Sequence, residues 1–387
     1  MITRMKLLTA AGLLLCMALM GCAKKEEPAP EPVKEEATPA PTVSPEPSPS
    51  PEESPSKERV EVDGKMQSYL TGEWKATEVV TRRPIAVMIP NNSAAMPQYG
   101  ISKASIIYEA PVEGRITRLM PVFEDFDDLE RIGPVRSSRD YFVYVAMGYE
   151  ALYCNWGLAR PYVEELINRD TVQNISAGVE GIYNPAHEAF DRVSRSGYAT
   201  EFTGYLFIDG MEKAAERLEY DWEYDDAYVP PFTFAPDGTR AEDNYQDKED
   251  AQVCYPGGQV GNQGGYGAYN PSFEYNEEDH LYYRYQNGKE QIDELDGSQL
   301  TVSNVVFQYC HGEVRDSHDY LAFGVHGEGD AIVFTGGKVI KGSWDRYDGD
   351  ATPARFYDED GEEIIFNQGK TWVCCIWQEY GEFVEYK

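Results

Sequence analysis

The sequence predicts an α+β protein, with a mixed α/β N-terminal domain followed by a mostly antiparallel β C-terminal domain. Between residues 81 and 228, apolar runs of strand length alternate with helical patterns. Between residues 229 and 387, similar runs are separated by Asn-Gly and Gly-Gly turn signals, without long helical patterns. The chain has 387 residues, which is more than one typical domain holds.

Residues 1–22 read as a bacterial lipoprotein signal peptide, MITRMKLLTAAGLLLCMALMGC. Arg4 and Lys6 precede an apolar stretch that is too short to span a membrane comfortably. The last four residues resemble a lipobox, with Met20 in place of the usual small or aliphatic residue. The resemblance implies cleavage before Cys22, acylation of its thiol, and a lipid anchor on the extracytoplasmic side of the bacterial cell membrane. The alternative is an ordinary secretory signal followed by a chance cysteine.

Residues 23–80 are predicted to form a disordered spacer that is rich in Pro, Glu and Ser. Its repeated prolines favour an extended polyproline conformation, at about 3.1 Å per residue. Its most proline-rich part, about 35–40 residues that end near residue 64, would hold the folded part on the order of 100 Å from the bilayer. This reach favours a function within the cell wall or periplasm rather than at the lipid surface.

The N-terminal domain, residues 81–228, is predicted to mix strands with helices. Apolar runs predict strands at residues 84–89, 104–110, 116–123, 132–135, 151–156 and 204–208. Helical spacing predicts helices from residue 139 to about 150, at 161–168 and at 211–218.

Five arginines fall close together in a chain that has 67 Asp and Glu against 34 Lys and Arg: Arg115, Arg118, Arg131, Arg136 and Arg139. Arg136 ends a predicted strand. Arg139 is expected in the first turn of the next helix, with Ser137 or Ser138 as its N-cap. A cation in a first turn opposes the helix dipole by about 0.3–1 kcal/mol, and a bound anion would reverse that cost.

This pattern predicts a phosphate or carboxylate site built from six residues: Arg115, Arg118, Arg136, Ser137, Ser138 and Arg139. The alternative is that the arginines pair with acids of the same stretch, namely Glu109, Glu113, Asp125, Asp127, Asp128 and Asp140. The sequence leaves both readings open.

The C-terminal domain, residues 229–387, is predicted to consist of hairpins. Expected strands lie at residues 281–285, 300–309, 320–325, 331–334, 339–344, 363–366 and 371–377. Asn287-Gly288 and Gly336-Gly337 are typical two-residue hairpin turns. The Gly-rich residues 236–270 lack a P-loop pattern, so they predict a loop or strands joined by tight turns.

Charge and motifs exclude several classes of function. A net charge of −33 argues against nucleic-acid binding and against adsorption to anionic lipid by charge alone. The chain lacks HExxH, GxSxG and CxxC patterns, so no catalytic residues, metal or cofactor are predicted. Acidic stretches at 345–350 and 358–361 do not match EF-hand spacing, and they favour hairpin turns.

Five cysteines remain after the signal peptide and Cys22: Cys154, Cys254, Cys310, Cys374 and Cys375. One of the adjacent pair could bond elsewhere, for example with Cys310, because neighbours in a strand face opposite sides. Buried free thiols are the alternative.

Several segments carry a family resemblance. In the N-terminal half they are RPIAVMIPN, GISKASIIYEAPVEGRITRLMPVF and ERIGPVRSSRDYF. In the C-terminal half they are AIVFTGGKVIKGSWDR and GEEIIFNQGKTWV. Together they resemble the YerB-like bacterial lipoproteins, which carry a two-part domain of unknown function. The resemblance implies an envelope-anchored protein with an α/β first part and a β second part. It implies no established activity.

Two functions from different classes remain open. The first is a non-catalytic lipoprotein that binds a protein partner or an anionic ligand in the wall or periplasm, such as a wall-synthesis protein or a lipid-linked glycan. The second rests on the Arg139-Asp140 pair at a helix start, which is loosely similar to the LytR-CpsA-Psr phosphotransferases. On that analogy Arg118, Arg136 and Arg139 would hold the pyrophosphate of a wall precursor.

Overall fold

The computed structural model describes residues 59–178, 180–258, 266–267 and 269–387. The predicted signal peptide, the predicted acylation site Cys22 and most of the predicted spacer lie outside the described residues. Glu58–Lys387 form one compact unit. Residues 59–80, which were expected to belong to the spacer, contribute two strands and a helical turn to this unit.

The described residues combine many short strands with a few helices, so the mixed α+β prediction is confirmed. The α-helices are α1 Thr77–Val80, α2 Asp140–Gly148, α3 Arg160–Ile167 and α4 Ile208–Arg217. The strands of the first half are β1 Lys65–Gln67, β2 Trp74–Ala76, β3 Ile85–Val87, β4 Ile89–Pro90, β5 Ile106–Val112, β6 Ile116–Phe123, β7 Arg131–Ile132, β8 Leu152–Trp156, β9 Asn174–Ala177, β10 Phe190–Arg192 and β11 Gly204–Phe207. Those of the second half are β12 Thr233–Phe234, β13 Val253–Tyr255, β14 Pro271–Asn276, β15 Leu281–Gln286, β16 Lys289–Glu290, β17 Thr301–Val302, β18 Asn304–Cys310, β19 Gly312–Val314, β20 Leu321–Phe323, β21 Gly327–Thr335, β22 Lys338–Arg346, β23 Arg355–Asp358, β24 Ile365–Phe366, β25 Thr371–Trp377 and β26 Glu385–Tyr386.

One large sheet runs through both halves of the chain. Its order is β23-β22-β21-β18-β25-β5-β6-β3-β8-β9, with β4 beside β6. The strand β25 is parallel to both neighbours, so Thr371 lies opposite Asn304 on one side and Ile106 on the other. Strands from residues 81–228 and 229–387 therefore share one hydrogen-bonded sheet.

Two hydrophobic cores cover the two faces of this sheet, because side chains alternate along each strand. On β5, Ile106 belongs to one core and Ile107 to the other. Phe142 of α2 packs into the first core, whereas Met211 of α4 and Phe273 of the second sheet pack into the other. That second sheet has the order β16-β15-β14-β13-β26, with β17 beside β15.

Local signals predicted the hairpins correctly. Gln286 pairs with Lys289 across Asn287-Gly288, and Thr335 pairs with Lys338 across the two glycines. The prediction of a strand at 132–135 was too long, since β7 ends at Ile132. Pro134 follows there, and it has no backbone N–H to donate to a ladder. In the part of the chain that is described, no helix is long and apolar enough to cross a membrane.

Candidate functional site

The arginine stretch lies where three parallel strands, β3, β8 and β9, end at the same edge of the large sheet. The backbone of Arg136 ties the strand ends together: its N–H donates to Met88 O at 2.8 Å, and its carbonyl accepts from Trp156 at 3.1 Å. Arg118 reaches the same place on β6, opposite Pro90. Ligands commonly bind at the carboxyl edge of parallel strands.

Arg118 is a buried cation without a carboxylate partner among the described residues. Only 6% of its surface is exposed, and its Nη1 donates to the carbonyl of Ser137 at 2.5 Å. Burial, and after it the positive charges of Arg139 and Arg136, lower the pKa of Arg118 to about 9, although the charge of Glu113 acts in the opposite direction. An anion placed here would offset both the desolvation and the repulsion.

Arg139 is held by a carboxylate. Its Nε donates to Glu113 Oε1 at 2.7 Å, its Nη2 contacts Glu113 Oε2, and its Nη1 donates to Ser138 O at 2.7 Å. Burial lowers the pKa of Arg139, but the hydrogen bond and charge of Glu113 outweigh it and raise the pKa overall. Its guanidinium also lies 5.3 Å from the ring centre of Tyr320.

The predicted N-cap was wrong. Arg139 itself is the N-cap residue of α2, just outside the first turn, and no side chain caps the helix there. Ser138 is engaged elsewhere: its hydroxyl shares a hydrogen bond of 2.7 Å with Tyr153, and its amide donates to Gly157 O at 2.8 Å. The amide of Ser138 is therefore committed within the protein.

Arg136 and Ser137 are more accessible. The side chain of Arg136 is 25% exposed and pairs with Glu201 at 3.1 Å, and that carboxylate is itself half exposed. An exposed pair of this kind contributes about 0.2–1 kcal/mol, so a ligand can compete for the guanidinium. Ser137 is partly buried, and its carbonyl accepts from Arg118.

Arg115 lies apart from this group. It is exposed in the turn between β5 and β6, with φ of 59°. Arg131 is separate as well: it pairs with Glu130 at 2.8 Å and lies over the ring of Tyr99. The structure thus gathers Arg118, Arg136 and Arg139 with the two serines, without hydrogen bonds or ion pairs from Arg115 to any of them.

The acids that could have neutralised the arginines are largely used elsewhere. Asp140 pairs with Arg315 at 2.6 Å, and Asp127 pairs with Arg82 at 2.7 Å. Glu109 pairs with Arg284 at 2.8 Å. Of the acids considered from the sequence, Glu113 is the one that contacts an arginine of the site.

Sequence reasoning missed a second buried arginine besides Arg118. This residue, Arg284, is 1% exposed. A signal was present, because along β15 every second residue is buried and Arg284 stands between the inward-facing Tyr282 and Gln286. A charged residue at an inward-facing position of a strand indicates a buried partner of opposite charge.

The five cysteines of the folded part are free and buried. Cys375 and Cys310 lie in the same core on one face of the large sheet, and burial is the main cause that raises the pKa of Cys375. In the described part of the chain, no three His, Cys, Asp or Glu side chains are grouped to hold a metal ion.

Comparison with known proteins supports the family resemblance. The model described as "Protein of unknown function (DUF3048) N-terminal domain" matches residues 70–221, and its C-terminal counterpart matches residues 263–373. A protein of Bacillus subtilis (strain 168) named "Putative lipoprotein YerB" is 27% identical over 311 residues, which is 80% of this chain and 86% of the relative.

The fold is also shared with a solved structure. The crystal structure of the YerB protein from Bacillus subtilis matches with a TM-score of 0.67 at 23% identity, and the match covers 83% of this chain and 99% of that one. The resemblance predicted from the sequence is thereby confirmed: the chain belongs to the DUF3048 family of proteins of unknown function, and it is similar to the YerB lipoprotein.

Proposed function

We propose that the protein is a membrane-anchored lipoprotein of the bacterial envelope that binds an anionic ligand at Arg118, with Arg136 and Arg139 beside it. The single observation that carries the binding site is the buried guanidinium of Arg118, which has no carboxylate partner among the described residues. The lipobox-like residues before Cys22 and the name of the Bacillus relative support the anchor.

The chemistry of the site favours phosphate, pyrophosphate or carboxylate groups. Arginine forks bind such anions in two-point geometry, with shortened charge-assisted hydrogen bonds. Arg118 supplies a charge that is already desolvated, so the ligand meets little competition from water. Arg136 supplies an exposed charge that can leave Glu201 at low cost. A lipid-linked wall glycan or an acidic surface of a protein partner would present such a group.

Binding is favoured over a phosphotransferase reaction by the neighbours of the arginines. Asp140, the acid of the phosphotransferase analogy, is held by Arg315 at 2.6 Å. Tyr153, which contacts Ser138, is buried, and burial raises its pKa above the usual value. Neither group is arranged to accept a proton from an attacking hydroxyl at neutral pH.

Thermal unfolding in the presence of phosphate, pyrophosphate and citrate tests the proposal. A ligand at 100 times its Kd should stabilise the protein by about 2.7 kcal/mol. We expect pyrophosphate to raise the Tm of the wild type, and Arg118→Met and Arg136→Ala to reduce this shift. Arg217→Ala is the matched control, since Arg217 forms an exposed ion pair with Glu188 at 2.6 Å.

Two outcomes would count against the anion site. One is the absence of any shift with all three anions. The other is a shift of equal size in Arg118→Met, Arg136→Ala and Arg217→Ala, which would indicate a general salt effect on a chain of net charge −33.

A further inference from the structure

A cavity lies at the opposite end of β3 from the arginines. Arg82 and Arg83 precede that strand, and Arg83 N–H donates to the carbonyl of Trp222 at 2.8 Å. The cavity beside them has a volume of about 680 Å³. This volume lies within the range of small-molecule sites.

Aromatic rings form one wall of the cavity. The rings of Tyr69, Tyr224 and Tyr228 contact each other, with centroid distances of 5.6 Å, 5.2 Å and 4.5 Å for the pairs 69–224, 69–228 and 224–228. The guanidinium of Arg59 lies 3.5 Å from the ring centre of Tyr69. It is fixed there because its Nη1 donates to the carbonyl of Val80 at 2.7 Å. A planar cation of the chain itself, the guanidinium of Arg59, therefore already lies against this aromatic wall.

Carboxylates line the rest of the cavity: Glu212, Glu223, Asp225 and Asp226. None of the four forms an ion pair with a described residue. The lining holds two guanidinium groups, Arg59 and Arg82, against these four carboxylates. The charge of Arg82 is neutralised outside this set, because its Nη1 pairs with Asp127 Oδ1 at 2.7 Å. Its guanidinium carbon lies 3.9 Å from the ring centre of Phe126. The balance of charge in the cavity is negative, which disfavours an anionic ligand and favours a cation.

One polar atom of the aromatic wall has no partner. The hydroxyl of Tyr228 is buried and makes no hydrogen bond with any of the described residues. Buried hydroxyls are normally paired, so an unpaired one in the lining of a cavity is a candidate partner for a ligand or an ordered water. An N–H group of a ligand could donate to this oxygen while its charge faced the rings and the carboxylates.

We propose that this cavity binds an organic cation, carried as a primary ammonium or guanidinium group. Aromatic faces attract such cations through the ring quadrupole, and nearby carboxylates add charge complementarity. Arg59 occupies part of the aromatic wall, so it competes with the ligand. This site is separate from the anion site and does not depend on it. The cation is supplied either by a diffusible amine or by a Lys or Arg side chain of a peptide.

Titration calorimetry on the full chain in detergent tests the proposal, with two probes for the two sources of the cation. Agmatine represents a diffusible amine, and an acetylated Gly-Arg-Gly amide represents a peptide side chain. We expect Glu212→Gln/Asp226→Asn to weaken binding of the preferred probe at least tenfold. Tyr228→Phe, which removes only the hydroxyl, should weaken it several-fold. Arg59→Ala should tighten it, because the competing guanidinium is removed.

The matched control is Glu278→Gln/Glu290→Gln, which removes two exposed charges from the region of the second sheet. This variant should bind with unchanged affinity. Equal weakening in both double variants would show only the general attraction of an acidic protein for cations, and it would overturn the proposal. Absence of binding to both the wild type and Arg59→Ala would overturn it as well. So would tighter binding of neutral chitotriose than of either cation, which would assign the rings to a sugar.

Discussion

At the scale of single residues, the carboxylate of Glu109 joins the two halves of the chain. It is fully buried on β5 and accepts from Arg284 Nη2 at 2.8 Å and from Trp372 Nε1 at 3.0 Å. From its own half it accepts from Thr117 Oγ1 at 2.7 Å and Asn91 Nδ2 at 3.0 Å. Such a set of donors offsets the cost of burying an ion pair, and it fixes where β15 docks on the large sheet.

Glu109→Gln should therefore destabilise the protein strongly. It leaves the guanidinium of Arg284 buried without a counter-charge, at a cost of about 3–5 kcal/mol. The measurement is urea unfolding at constant pH. Glu188→Gln, which breaks the exposed pair with Arg217, is the control and should cost at most about 1 kcal/mol. If the two variants lose similar stability, the buried pair does not hold the halves together.

At the scale of elements, α4 shows how close packing decides a residue. Gly210 lies inside this helix, where alanine is normally better by about 0.8–1 kcal/mol. Here a Cβ would meet the carbonyl oxygen of Glu188 at 2.2 Å. The missing side chain lets α4 approach the 3-10 turn His187–Ala189, which buries Met211 in the core.

Gly210→Ala should accordingly lower stability by about 1–3 kcal/mol, against the direction that helix propensity predicts. The reason is that rigid backbone atoms would have to move to admit the methyl group. Thermal unfolding followed by circular dichroism measures the loss. Glu216→Ala, at an exposed position of the same helix, should change stability by no more than about 0.5 kcal/mol. A stabilised Gly210→Ala protein would contradict this account of the contact.

Elements that depend on neighbouring residues could be predicted from the sequence, and those that depend on distant pairing could not. The hairpins at Gly288 and Gly336 follow from turn chemistry within a few residues. The position of β25 between β18 and β5 depends on pairing across more than 260 residues with Ile106, which no local pattern encodes. The same limit applies to the site. The grouping of Arg118 with Arg136 needs only adjacent strand ends, whereas the pairing of Arg284 with Glu109 spans 175 residues.

At the scale of the whole molecule, one sheet is shared by the segments 81–228 and 229–387, which the sequence predicts to be separate domains. The seven residue pairs between β18 and β25 continue into the pairs between β25 and β5 without a break. Both hydrophobic cores also contain residues from both segments. The two segments therefore depend on each other for the burial of their apolar faces.

Residues 58–387 should unfold in urea in a single transition. Tryptophan fluorescence and far-ultraviolet circular dichroism should give the same midpoint, because the sheet cannot lose one half and keep its central strands paired. The fragment 81–228 alone should show no cooperative transition. Two separated transitions, or a cooperative fragment, would instead support two independent domains.

The place of β25 in the chain also sets the order of events during synthesis. The strand β25, which completes the centre of the sheet, is made long after β5, so β5 has an unpaired edge until β25 arrives. An exposed hydrophobic edge of that kind readily pairs with other chains. A nascent protein of this fold must therefore remain unassembled, or be protected by a chaperone, until β25 has been made.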